Sequence, residues 1–217
     1  MSASPPVAVP PGLAHALTLR DGTPVLLRPV APEDRDALAA FVSRLSDDSR
    51  ARRFLRALDE LSPEELDYFT RVDHEDHEAI VALDHPERRI RGVARFVRLA
   101  ERGHVAEAAV VVEDAWQNRG LGSALLDELA RRAAARGIRS FSVLMRADNR
   151  RAADLFGGLG TVVSRGLQDG ELEMEIALPP GVGADLARAL ATATADSLLC
   201  PWDLLAARGR LGARRHG

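Results

Sequence analysis

The 217-residue chain has no lysine, one cysteine and one tyrosine, and each shortage closes off a class of chemistry. All 29 basic residues are arginine, so the glycine-lysine pair that a Walker-type triphosphate loop requires cannot be supplied. An internal disulfide is excluded by the single Cys200, which lacks a histidine and acid constellation and reads as a small buried hydrophobe. No apolar run approaches the roughly 20 residues needed to span a bilayer. Met1 to Pro6 show neither the basic start nor the apolar stretch of a secretory signal, so a cytoplasmic location is expected and no membrane partner. A net charge of -3 offers no strongly basic surface for nucleic acid.

What the chain has is apolar content, 46% of its residues, enough for one well-buried core. Residues 1–14 are Pro-rich and read as a disordered arm. Leu17, Leu19, Val25 and Leu27 alternate about Asp21-Gly22, which predicts a hairpin. Leu38, Phe41, Val42 and Leu45 predict a first helix, and Phe54, Leu55 and Leu58 a short second one. Ser62-Pro63-Glu64-Glu65 has the pattern of a capping box opening a third helix. Strands are expected over 79–83, 90–97 and 106–112, then a helix over 119–136 with Leu121, Leu125, Leu126, Leu129 and Ala133 on one stripe, then a strand at 141–144. A short helix from Asn149 to Phe156 and a hairpin about Asp169-Gly170 complete a domain of residues 15–178. Residues 179–217 are expected to add a helical extension, compatible with covering the core or with pairing in a homodimer.

The segment Gln117-Asn118-Arg119-Gly120-Leu121-Gly122 lies between a predicted strand and a long predicted helix. Free N–H groups and the positive end of the helix dipole favour an anion there, glycine permits close approach to the backbone, and Arg119 can add charge from the side. An ordinary glycine-rich turn is the competing interpretation. A dinucleotide fingerprint needs a third glycine where Leu125 stands, which disfavours NAD.

In these residues the sequence resembles the GNAT superfamily of N-acetyltransferases, whose signature is Arg/Gln-x-x-Gly-x-Gly/Ala after the fourth strand of the family fold; Gln117, Gly120 and Gly122 match it. Asp114-Ala115-Trp116 before the motif and the stretch from Ala147 to Gly160 continue the likeness, which covers about residues 17–178. The resemblance implies an α/β (α+β) fold with a mixed, mostly antiparallel central sheet flanked by helices. It implies acetyl-CoA as co-substrate, with the pyrophosphate on the backbone of Asn118, Arg119, Gly120, Leu121, Gly122 and Ser123. Val110 and Val112 would pair with the pantetheine arm, and Asn149 would bond near it. Phe156 stands where family members carry a tyrosine that reprotonates the leaving thiolate, so water is left to do so.

A lysine-type amine has a pKa of about 10.4, so fewer than about one molecule in a thousand is nucleophilic at pH 7 and the site must remove a proton. The resemblance implies that Glu107, at an offset before the glycine motif similar to that of the glutamate base in the protein-acetylating branch of the family, is the general base; a solvated strand-end or salt-bridge role is the alternative. The run from Asp73 to Glu78 holds two histidines and four carboxylates, but no zinc pattern is present and no metal is assigned. Tyr68 falls in the region expected to form the acceptor side. Residues Leu19 to Pro29, with Ser46, Ser49, Arg50, Arg53 and Phe54, are similar to bacterial GNAT domains that acetylate protein lysines. A protein lysine is therefore the first expected acceptor; a small amine or antibiotic, or a CoA-binding sensor without turnover, are the alternatives.

Overall fold

A computed structural model describes residues 14–55 and 60–179. The expected N-terminal arm, the C-terminal helical extension and Cys200 fall wholly or almost wholly outside the described residues.

Strands β1 (His15–Thr18) and β2 (Pro24–Pro29) pair across the turn at Asp21-Gly22, where Gly22 takes φ +84° and Leu19 N–H donates to Thr23 O at 2.8 Å. Helices α1 (Arg35–Arg44), α2 (Asp47–Phe54) and α3 (Pro63–Thr70) follow. The capping box forms as expected: Ser62 Oγ accepts from Glu65 N–H, and Glu65 Oε2 accepts from Ser62 N–H at 2.8 Å. α2 begins at Asp47, earlier than Phe54 and Leu55 suggested, and Leu58 lies outside the described residues. The helix buries none of its residues; it is defined instead by Ser46 at the N-cap, Asp47 and Asp48 in the first turn, and Leu55 in the left-handed region at φ +54°.

The remaining elements are β3 (His77–Asp84), β4 (Ile90–Arg98), β5 (Val105–Val112), α4 (Leu121–Ala135), β6 (Ser140–Arg146), α5 (Arg150–Gly157), β7 (Thr161–Gln168) and β8 (Glu171–Ala177). They complete an eight-stranded sheet of order β1-β2-β3-β4-β5-β6-β8-β7. Every neighbouring pair is antiparallel except β5 and β6.

Each face of the sheet carries its own core. On one, the α4 stripe of Leu121, Leu125, Leu126, Leu129 and Ala133 is buried against Ile80, Ala94, Phe96 and Phe141. On the other, Phe41, Val42 and Leu66 of α1 and α3 cover Val81 and Val93. Fully burying each of those leucines contributes roughly 1.5–3 kcal/mol, which keeps the 15-residue helix seated beside the glycine loop. Charge is also buried: Arg28 and Asp34, each about 5% exposed, form a two-bond pair with 2.6 Å contacts behind β2.

Candidate functional site

The parallel ladder between β5 and β6 holds for three residue pairs only, Val105 with Ser140, Ala106 with Phe141 and Glu107 with Ser142. Beyond it β5 continues to Val112, still paired to β4, while β6 continues to Arg146, paired to β8. The strands therefore part and leave a wedge. Glu113 N–H donates to Arg91 O on β4, so by strand alternation Ala108, Val110 and Val112 direct their backbone groups into the wedge. An extended, amide-bearing chain is the kind of ligand that completes such an edge. Val110 and Val112, expected to pair with the pantetheine arm, lie on this open edge, where the Val112 carbonyl already accepts from Gln117 Nε2 at 3.2 Å.

At the head of the wedge, Asn118 (φ +63°) and Gly120 (φ +90°) turn the chain through the left-handed region before α4 begins. The first-turn N–H groups of Leu121, Gly122 and Ser123 have no helical partner and gather at the positive end of the helix dipole. Leu121 is fully buried, so only its backbone can meet a ligand. Gly122 keeps this point close-packed: a Cβ there would sit 3.1 Å from Leu155 Cδ2 and 3.8 Å from Val112 Cγ2. These features fit a diphosphate followed by an extended arm.

Two motif side chains are engaged with the protein itself. Gln117 is a strut: its Nε2 also reaches Ser49 Oγ at 3.3 Å, and its Oε1 accepts from Arg151, so it ties β5 to α2 and α5. Arg119 turns away from the loop to Asp21 and Thr23, with Trp116 4.5 Å below its guanidinium. The Thr23 N–H and hydroxyl, together with Arg119, hold the Asp21 carboxyl at a pKa of about 2. Positive charge near the loop comes instead from Arg20, whose side chain lies 3.5 Å from a Cβ placed on Gly120, and from Arg151. Arg20 is part of the likeness over Leu19 to Pro29, but its place beside the loop depends on the β1–β2 turn that brings it there.

Asn149 caps α5, its Oδ1 accepting from Ala152 N–H at 3.2 Å, which leaves its amide nitrogen to donate elsewhere. Phe156 is 4% exposed and belongs to the α4-side core, so it stands behind the wedge wall. Asp114 fixes α2 across the end of β5 by accepting from Ser46 N–H, Ser46 Oγ and Ser49 Oγ at 2.8–2.9 Å.

Glu107 is exposed at the point where the strands part, on the sheet face covered by α1–α3, opposite Val97 and beside Ser142. Nearby, burial lowers the Arg53 pKa to about 10, partly offset by the Glu107 charge. Arg95, on β4, donates to Phe69 O at 3.1 Å and to His77 Nε2 at 3.2 Å, with its guanidinium 4.1 Å over the Phe69 ring. Burial and then the Arg53 charge lower its pKa to about 9. Burial and then Arg95 push His77 down to about 4, and Tyr68, 53% exposed, lies 4.9 Å from the His77 ring.

The acidic and histidine run is dispersed by its contacts. Asp73 accepts three backbone N–H groups, His74 pairs with the fully buried Glu78, and Asp76 pairs with Arg98. Among the described residues no three His, Cys, Asp or Glu side chains converge in a way that could hold a metal. Nor is any described helix long and apolar enough to cross a membrane. A cleft of about 560 Å³ lies between the end of α2 and the β7–β8 turn, lined among others by Ala51, Leu55, Asp148, Asp169 and Glu171.

Comparison with known proteins agrees with this geometry. Residues 41–160 match the Acetyltransferase (GNAT) family. The chain is 36% identical over 154 residues to an acetyltransferase of Pseudomonas aeruginosa, an overlap covering 70% of this chain and 82% of that protein. It is 31% identical over 163 residues to the acetyltransferase Pat of Mycolicibacterium smegmatis, covering 75% of this chain but 48% of Pat, so it spans about half the length of that relative. The solved GNAT domain of S. lividans PAT superposes with a TM-score of 0.73 at 30% identity, covering 79% of this chain and 100% of that one. An acetyltransferase from Salmonella typhimurium solved with its cofactor acetyl-CoA shares the fold, with a TM-score of 0.53 at 20% identity over 72% of this chain and 95% of that one. The chain therefore belongs to the GNAT family and is an acetyl-CoA-dependent N-acetyltransferase.

Proposed function

We propose that the chain moves the acetyl group directly to the side-chain amine of a protein lysine, with Glu107 as general base. The observation that carries this reading is the exposed Glu107 carboxylate at the point where the β5–β6 ladder ends, next to the edge on which Val110 and Val112 would hold the pantetheine arm. The N–H groups of Leu121, Gly122 and Ser123 would hold the pyrophosphate, and the Asn149 amide nitrogen would donate to the arm.

Glu107, directly or through a water, takes one proton from the lysine ammonium, and the neutral nitrogen attacks the thioester carbonyl. Backbone N–H groups on the open edge of β5 are the available donors for the oxygen that becomes negative. As the carbon–sulfur bond breaks, the nitrogen gives its second proton to water to become the amide, and the thiolate takes its proton from water, because Phe156 has none to give. The cleft beside α2 is where the acceptor enters: Asp169 and Glu171 favour a cation, and most of the lining residues are solvent-exposed, which suits a lysine on a protein surface better than a small amine that must be enclosed. The likeness of Leu19 to Pro29, with Ser46, Ser49, Arg50, Arg53 and Phe54, to bacterial GNAT domains that acetylate protein lysines supports the same acceptor.

The test is CoA release from acetyl-CoA by the purified chain with lysine peptides, folded proteins and a panel of small amines. Acetylation of lysine peptides or proteins above the small amines is expected. Binding of acetyl-CoA with no turnover on any acceptor contradicts the catalytic reading, and turnover confined to small amines contradicts the acceptor.

A further inference from the structure

Among the described residues, the buried Arg95 and the half-buried Arg53 are the two arginines not exposed to solvent that form no ion pair with a carboxylate. Other shielded arginines, such as Arg28, Arg91 and Arg132, sit on Asp or Glu. Holding two guanidinium groups together with no ion-pair partner, offset only in part by the Glu107 charge, costs desolvation and mutual repulsion. The fold nevertheless supports both. Arg53 lies 5.1 Å over Phe54, the Phe54 and Phe69 rings are 6.2 Å apart, and Arg95 lies 4.1 Å over Phe69. Aromatic faces thus hold two planar forks on the sheet face that carries Glu107. His77 adds no charge: arginine only donates, so Nε2 must be the acceptor of the Arg95 bond and the ring is neutral.

We propose that Arg53 and Arg95 form a carboxylate subsite beside Glu107, which takes an acidic group carried by the acceptor close to its reacting amine. The inference rests on the assignment of Glu107 and this face to the acceptor. A carboxylate matches the planar forks, replaces the lost solvation of both cations, and leaves Glu107 to deal with the amine. It has two sources: the side chain of an aspartate or glutamate next to a target lysine, or the α-carboxylate of a free amino acid.

Two matched pairs of acceptors separate these sources: a lysine peptide flanked by glutamate against the same peptide with glutamine, and free lysine against lysinamide. Acetylation is measured as kcat/KM for each, and binding of the same four compounds is measured by calorimetry with CoA present. One pair should favour its acidic member roughly ten-fold or more, as expected for a charge-assisted hydrogen bond, and Arg53→Gln should bring that ratio close to one. Arg95→Lys, which keeps the charge but loses the fork, should lower it in part. Arg139→Gln, an exposed arginine away from the site, should leave it in place. Equal rates and equal binding within both pairs overturn the subsite, as does a preference that survives Arg53→Gln. Absence of turnover on every amine would defeat the catalytic reading alone, because the binding ratios still decide the subsite.

Discussion

Replacing Gly120 with alanine tests whether the left-handed turn ahead of α4 is what aims the N–H cradle. Gly120 has φ +90°, a region that costs an L-residue roughly 1–2 kcal/mol, whereas space is not the obstacle: the nearest atoms to a Cβ there belong to the flexible Arg20 side chain, at 3.5–3.7 Å. The chain has two ways to absorb that cost. If the turn keeps its shape, stability falls by about 1–2 kcal/mol and acetyl-CoA binding is nearly unchanged. If the turn relaxes, stability is largely kept and the N–H groups of Leu121 to Ser123 lose their aim, weakening binding by roughly 5- to 30-fold, the same free energy expressed as an affinity. Urea unfolding and calorimetric titration with acetyl-CoA, done on one preparation, should show losses that sum to about 1–2 kcal/mol. Gly122→Ala serves as the contrast: it carries no positive φ, and its contact is with a movable Leu155 methyl, so losses of a few tenths of a kcal/mol are expected. Gly120→Ala with wild-type stability and wild-type affinity together would refute the reasoning.

Four further outcomes follow from the same structure. Glu107→Gln should lower kcat by about 10²- to 10⁴-fold with little change in acetyl-CoA affinity, checked by steady-state kinetics and titration; retained activity removes the base assignment. Asp34→Ala strands the buried Arg28 and should cost about 3–5 kcal/mol in urea unfolding, while leaving acetyl-CoA contacts untouched. Leu125→Ala, in the fully buried α4 stripe, should cost about 2–5 kcal/mol by the same assay. His77 has its folded pKa lowered from 6.5 to about 4, so the unfolded chain binds the proton more readily; its contribution is present above about pH 6.5 and is lost as pH falls toward 4. Urea midpoints should decline across that window, and His77→Gln should flatten the decline.

Local signals explain most of what could be anticipated from the residues alone. The Ser62 capping box, the Asp21-Gly22 turn, the α4 stripe and the Gly120 turn each depend on neighbours within a few positions, so their chemistry is visible in a short window. α2 was displaced because its determinants are Ser46, Asp47, Asp48 and its tie to Asp114, whereas apolar spacing pointed to Phe54, Leu55 and Leu58. Gln117 matched a motif, but its work as a strut depends on Ser49 and Arg151, which come from two other elements. The group of Arg53, Phe69, His77 and Arg95 had no sequence signature: it exists only because β3 pairs with β4 while α2 and α3 pack over that face.

In the proposed site the β5–β6 wedge and the turn at its head hold acetyl-CoA in the orientation that presents its thioester to Glu107. A crystal structure of the chain with acetyl-CoA decides whether they do. The diphosphate is expected within hydrogen-bond distance of the N–H groups of Leu121 to Ser123, the pantetheine amides paired to Val110 and Val112, and the acetyl group on the Glu107 side. A diphosphate bound away from the start of α4, or an arm that leaves the β5 edge unpaired, would contradict this placement.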